Sequence, residues 1–79
     1  MKLTEKQSIR ILSQMFKPYE LLKNFNDTNV KNIAKRNLYL RKGNTDKYYV
    51  IYEDLTPVAS IDVEHYPSRK RYIEEIMKK

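Results

Sequence analysis

The chain has 79 residues, with 16 Lys and Arg against 10 Asp and Glu for a net charge of +6, and it has no cysteine. A chain of this length reads as one domain, 1–79, that buries only about 60% of its unfolded surface, so homodimerisation is the natural supplement to a small core. Without cysteine there are no disulfides, thiolate metal sites or cysteine nucleophiles, which suits a reducing compartment. No apolar run approaches the roughly 20 residues that span a bilayer and no apolar signal segment opens the chain, so a cytoplasmic protein with no membrane partner is expected.

The charge is unevenly spread. Residues 1–42 carry ten basic and three acidic side chains, residues 43–64 one and five, and residues 65–79 five and two. The ends are therefore basic and the middle acidic. A basic field favours polyanionic partners and speeds encounter with them, but it carries no sequence specificity.

Thr4-Glu5-Lys6-Gln7 has the form of a capping box, and Ile9, Leu12, Met15 and Phe16 follow at helical spacing, which predicts a helix over Glu5 to Phe16. Pro18 cannot continue that helix, but it can open a second one to Phe25, with Leu21, Leu22 and Phe25 on one side. After the polar turn Asn26-Asp27-Thr28-Asn29, Val30, Ile33 and Ala34 predict a short third helix ending near Arg36, with Lys31, Lys35 and Arg36 on its exposed side.

Three strands come next: Asn37 to Lys42, Lys47 to Glu53 and Val58 to Val63. They are separated by Gly43-Asn44-Thr45-Asp46, which holds the only glycine, and by Asp54-Leu55-Thr56-Pro57. Short connections make an antiparallel meander. Alternation assigns Leu38, Leu40, Tyr49, Ile51, Ala59, Ile61 and Val63 to the core face. Tyr39, Arg41, Tyr48, Val50 and Tyr52 fall on the other face, which is too apolar to be idle surface, so a helix, a neighbouring subunit or a ligand should cover it.

The last helix is expected over Arg69 to Met77, with Tyr72, Ile73, Ile76 and Met77 packed on the sheet. Its first turn holds Arg69, Lys70 and Arg71, where the macrodipole disfavours cations by about 0.3 to 1 kcal/mol each. Pairing of Lys70 with Glu74 and of Arg71 with Glu75 would offset part of that cost, and the cluster suits a phosphate.

Signatures of catalysis are nearly absent: one histidine, one glycine, no phosphate loop and no nucleophile motif. Asp62 and Glu64 should share one side of the chain and His65 the other, which leaves no metal site, and no cofactor is implied. His65 and Tyr66 beside Arg69, Lys70 and Arg71 are the groups of metal-free RNA cleavage, and on these residues the chain resembles small basic mRNA-cleaving toxins.

The order helix, three antiparallel strands, helix, with Ser68-Arg69-Lys70-Arg71 at the start of the last helix, resembles the double-stranded RNA-binding domain. That likeness implies phosphate contacts from the cluster. Three short helices before a hairpin also suit a winged helix-turn-helix DNA-binding regulator, with Asn29 to Arg36 as recognition helix. In size and lysine-rich composition the chain resembles small host-takeover proteins of T4-like and other low-GC phages, which implies a host cytoplasm and an antagonist of a defence nuclease or toxin–antitoxin system.

The expected protein is thus α+β: N-terminal helices, a three-stranded antiparallel meander and a C-terminal helix packed on one face. Its expected work is non-enzymatic RNA binding, with Lys31, Lys35, Arg36, Arg41, Lys42, Arg69, Lys70 and Arg71 on phosphates and Tyr39, Tyr48 and Tyr52 as stacking or interface residues. The alternative is an inhibitor module that binds a host protein or ribonucleoprotein through the tyrosine face.

Overall fold

The structure is a computed structural model that describes residues 1–78. Four helices and three strands follow in the order α1 (Glu5–Met15), α2 (Pro18–Phe25), α3 (Val30–Ala34), β1 (Leu38–Lys42), β2 (Tyr48–Glu53), β3 (Thr56–Asp62) and α4 (Pro67–Met77). The fold is α+β.

Local chemistry sets the helix ends. The Thr4 hydroxyl accepts from the Gln7 backbone N–H at 3.1 Å while the Gln7 side chain accepts from the Thr4 N–H at 2.9 Å, so the capping box closes at the start of α1. Pro18 opens α2, and Asn26 ends it in the left-handed region at φ 56°, a conformation asparagine tolerates better than most residues. The Asn29 side chain caps α3 by accepting from the N–H groups of Lys31 and Asn32.

The strands form one antiparallel sheet in the order β1-β2-β3. Leu38, Leu40, Tyr49, Ile51, Ala59, Ile61 and Val63 are all buried on one face, against Ile11, Leu12, Phe25, Ile33 and Ile73 of the helices. The pairing shifts between Ile51 and Tyr52, where Tyr52 faces Pro57 and β3 gains a residue, so the irregularity leaves the faces of β2 as alternation assigns them.

Several expectations are corrected. The buried side of α1 runs through Ser8, Ile11, Leu12 and Met15, with Ile9 half-buried, because α3 packs against α1 and rotates the stripe that Ile9 was expected to lead. Leu22 and Met77 are exposed, since the core closes over Leu21, Phe25, Ile73 and Ile76 without them. α4 begins at Pro67, in the Pro67-Ser68 start signal just ahead of Arg69, because the missing proline N–H costs nothing at a first helical position. β3 begins at Thr56, which pairs with Glu53 across a two-residue loop.

One element has no counterpart in the sequence reading. The Leu3 N–H donates to the Leu38 carbonyl at 2.9 Å and the Leu40 N–H donates to the Met1 carbonyl at 2.8 Å, which bridges Lys2 to Tyr39 along the free edge of β1. Leu3 is buried, so Lys2 shares the opposite face with Tyr39, as directly paired antiparallel residues do. No helix among the described residues is long and apolar enough to cross a membrane.

Candidate nucleic-acid interface

Among the described residues, the helices pack on one face of the sheet and leave the side chains of the other no more than half-buried. Tyr39, Tyr48, Val50 and Tyr52 are half-buried there, and Arg41 is exposed. Of the covers expected for this face, a helix of the chain is not found among the described residues.

On this face Tyr39 and Tyr52 stand directly opposite each other in the β1–β2 ladder. The Arg41 guanidinium lies over the Tyr52 ring, 5.6 Å from its centroid, in cation–π contact. With Asn37, Asp54 and Leu55 they line a groove of about 320 Å³. Asn37 donates from its amide to the Asp54 carboxylate, and the Asp54 N–H donates to the Asn37 carbonyl at 3.0 Å, so one end of the groove is tied across the sheet. Leu55, 93% exposed, forms the lip.

Tyr48 has another task. Its ring lies so close over Gly43 that a Cβ there would come within 2.4 Å of the ring carbons, and its hydroxyl accepts from the Asn44 N–H at 3.3 Å. The tyrosine thus folds back onto the hairpin turn, and its inner ring face is occupied. A side chain at position 43 would therefore displace the Tyr48 ring.

The eight cations expected on phosphates do not converge. Arg41 alone shares the face with the tyrosines. Lys42 points the other way along β1 and pairs with Asp46 at 2.9 Å, a hydrogen bond that raises the Lys42 pKa and lowers that of Asp46. Arg36 pairs with Glu53 at 3.6 Å on the helix side. Lys31 and Lys35 lie exposed on or just after α3.

At the start of α4, the Arg69 guanidinium stacks on Tyr66, 4.0 Å from the ring centroid, and donates to the Asp62 carbonyl at 3.3 Å. Arg69 is thereby tied to the connection from β3. Lys70 is half-buried, Arg71 is exposed, and among the described residues neither reaches a carboxylate within 4.0 Å, so the expected pairs with Glu74 and Glu75 do not form. This second basic cluster stands apart from the tyrosine groove.

His65 also departs from expectation. β3 ends at Asp62, so strand alternation stops there, and the next residues turn as the Val63 and Glu64 N–H groups both donate to the Lys47 carbonyl. That brings His65 Nδ1 to 2.9 Å from Asp62 Oδ2 and Nε2 to 3.8 Å from Glu64. The Asp62 hydrogen bond raises the His65 pKa above its ordinary value, and the same bond lowers that of Asp62. No group of three His, Cys, Asp or Glu side chains among the described residues is arranged so that it could hold a metal ion.

Compared with known proteins, the chain matches no family model, no curated protein and no solved structure. The site's chemistry has to be read from its geometry alone.

What sequence reading missed here is Lys2, placed beside Tyr39 by the N-terminal bridge, and the Asn37–Asp54 pair. Neither has a local signal. Both depend on which backbone segments meet.

Proposed function

We propose that the open face of the sheet binds single-stranded RNA without catalysis. Bases stack on Tyr39 and Tyr52, and Arg41 and Lys2 hold the backbone. The observation that carries this reading is the directly opposed Tyr39–Tyr52 pair on the face opposite the buried core, with Arg41 against one ring. Aromatic rings take any base by its π face, at about 1 to 3 kcal/mol per base. Net charge of +6 supplies the long-range attraction, with Lys70 and Arg71 adding to the field from outside the groove. Single strands are favoured over a duplex because the tyrosines need unpaired bases and α3, at five residues, is too short to read a groove.

A protein partner on the same groove is the second reading. Leu55 favours it, since a 93% exposed leucine at the lip of a groove with two tyrosines adds apolar area that a packed protein interface would bury. Salt discriminates between the two readings. Phosphate contacts weaken with ionic strength, by a slope of about −0.7 in log K per contact for single strands, whereas an aromatic interface barely responds.

The test is fluorescence anisotropy with a short single-stranded RNA, the matching single-stranded DNA and a duplex, at low and physiological salt. RNA should bind most tightly with a steep salt dependence, and Tyr39→Ala should weaken binding about tenfold or more. Absence of binding to all three at low salt refutes the proposal and turns the search to a protein partner.

A further inference from the structure

We infer that the Asn37–Asp54 end of the groove reads a guanine base. This rests on the RNA-binding reading and adds the identity of the base that the aromatic pair receives.

Asp54 is the first of the two residues between β2 and β3, and its φ is 55°. Glycine adopts that conformation freely, whereas an L side chain there is strained, with aspartate among the better tolerated. What aspartate has and glycine lacks is the carboxylate. In this structure Oδ1 accepts from Asn37 Nδ2, which holds the group at the groove, and Oδ2 has no hydrogen-bond or ion-pair partner among the described residues. The Asn37 amide oxygen is a further acceptor at the same end, so this end of the groove is rich in acceptors, an ionised carboxylate having no donor at all.

That pattern discriminates among bases. The Watson–Crick edge of guanine carries two adjacent donors, N1–H and the N2 amino group, which match the two oxygens of a carboxylate. Adenine and cytosine place an acceptor beside their single amino group, and uracil places its N3–H between two carbonyls. Each would set a lone pair against Asp54, and bidentate pairing with a charged group is both stronger and more selective than one bond.

The layout of the groove fits one nucleotide laid lengthwise. Asn37, Tyr39 and Arg41 alternate on one face of β1 and its approach, so acceptors, rings and a cation follow one another over about 13 Å of backbone. A base stacked between them presents its edge to Asp54 and its phosphate to Arg41. The reverse orientation would bring phosphate against carboxylate. At about 320 Å³ the groove is near the lower end of small-ligand sites, so it holds one base and not a stack of several.

The experiment is an anisotropy titration of oligouridine carrying one central guanosine, inosine or adenosine, against the full chain and its Asp54→Gly and Asp54→Asn variants. Glycine suits the φ at this position, so D54G keeps the turn, and circular dichroism checks that it does. The guanosine strand should bind about tenfold more tightly than the inosine and adenosine strands, and both variants should erase that difference while still binding oligouridine. Equal affinity for all three strands overturns the guanine assignment and leaves RNA binding intact, as does a preference that survives in both variants. If no strand binds, the RNA reading falls and takes this inference with it. Guanosine monophosphate as competitor separates the two sources of the base: selective displacement assigns the site to free nucleotide as well as RNA, and retained preference without displacement assigns it to the strand, each in support of guanine recognition.

Discussion

Tyr49 and Tyr52 lie three residues apart on one strand, and they have different fates. Tyr49 is 4% exposed beneath the helices, while Tyr52 is half-buried on the face opposite the helix-packed core. The same contrast divides the whole sheet: Leu40, Ile51 and Ile61 are sealed on one side, and Tyr39, Arg41, Val50 and Tyr52 stand on the other. Residue type does not separate the faces, because both are rich in apolar and aromatic groups. The helices decide. By packing on one face they turn its side chains into stability and leave the other free to bind.

The largest effect should come from breaking the sealed face. Ile51→Ala removes a fully buried side chain from the central strand and should cost about 2 to 5 kcal/mol in urea denaturation, enough to unfold much of a domain this small. Tyr52→Ala, the next residue, should cost about 1 kcal/mol or less and leave the circular dichroism spectrum unchanged. Comparable losses at the two positions would mean that the open face is part of the core, and the proposed division of labour would fail.

Gly43→Ala tests the edge of the open face, where Tyr48 is committed to the hairpin. The added methyl would enter the Tyr48 ring, so the ring must swing away and surrender its bond from the Asn44 N–H. A cost of about 1 to 3 kcal/mol is expected from such overpacking. Made in a Tyr48→Ala background, the same change should cost much less, because the clash has gone. Equal costs in both backgrounds would show that Tyr48 does not lean on the turn.

The sequence makes the two faces legible because alternation and turn chemistry are local. Leu38 to Val63 declare their sides through period 2, Gly43 and Asp54 lie in the loops between strands, and Thr4 with Gln7 marks the start of α1. What escaped depends on contacts between distant segments. Ile11 and Ser8 displaced Ile9 from the deepest part of α1 only because α3 returns to pack there. Leu22 turned outward because Leu21 and Phe25 already close the core. At the candidate site the tyrosine face was readable, whereas Lys2 beside Tyr39 and the Asn37–Asp54 tie require knowing which strands meet. The separation of Arg41, Lys42 and Arg69 into three places is likewise invisible to a count of charges.

On the sealed side, Ser8 offers a smaller test. Its hydroxyl is fully buried and has no hydrogen-bond partner among the described residues, although burying such a group unpaired costs about 1 to 3 kcal/mol. Alanine keeps the small volume that the contact between α1 and α3 requires and removes the unpaired atom. Ser8→Ala should therefore leave stability unchanged or raise it by about 1 kcal/mol, read as a shift in the denaturation midpoint. A clear loss would mean that the hydroxyl is bonded in solution.

The smallest effect belongs to the exposed corner where β3 hands over to α4. His65 is the only histidine, so its ring protons report one titration without overlap. The hydrogen bond and charge of Asp62, with a lesser contribution from Glu64, raise its pKa, and His65 lowers that of Asp62 in return. The stabilisation linked to His65 is therefore present in full below the ordinary histidine range and is lost as pH rises through the folded-state value. That linked to Asp62 is present above the ordinary carboxylate range and is lost as pH falls through its lowered value, so the pair holds best between the two. An NMR titration should place the His65 midpoint above that of an unstructured histidine. Asp62→Asn should bring it down, and Glu64→Gln should move it less. A midpoint indifferent to Asp62→Asn would mean that the ring does not rest on the carboxylate. The turn out of β3 would then be held by the backbone bonds to Lys47, by the His65 N–H to the Asp62 carboxylate and by Arg69.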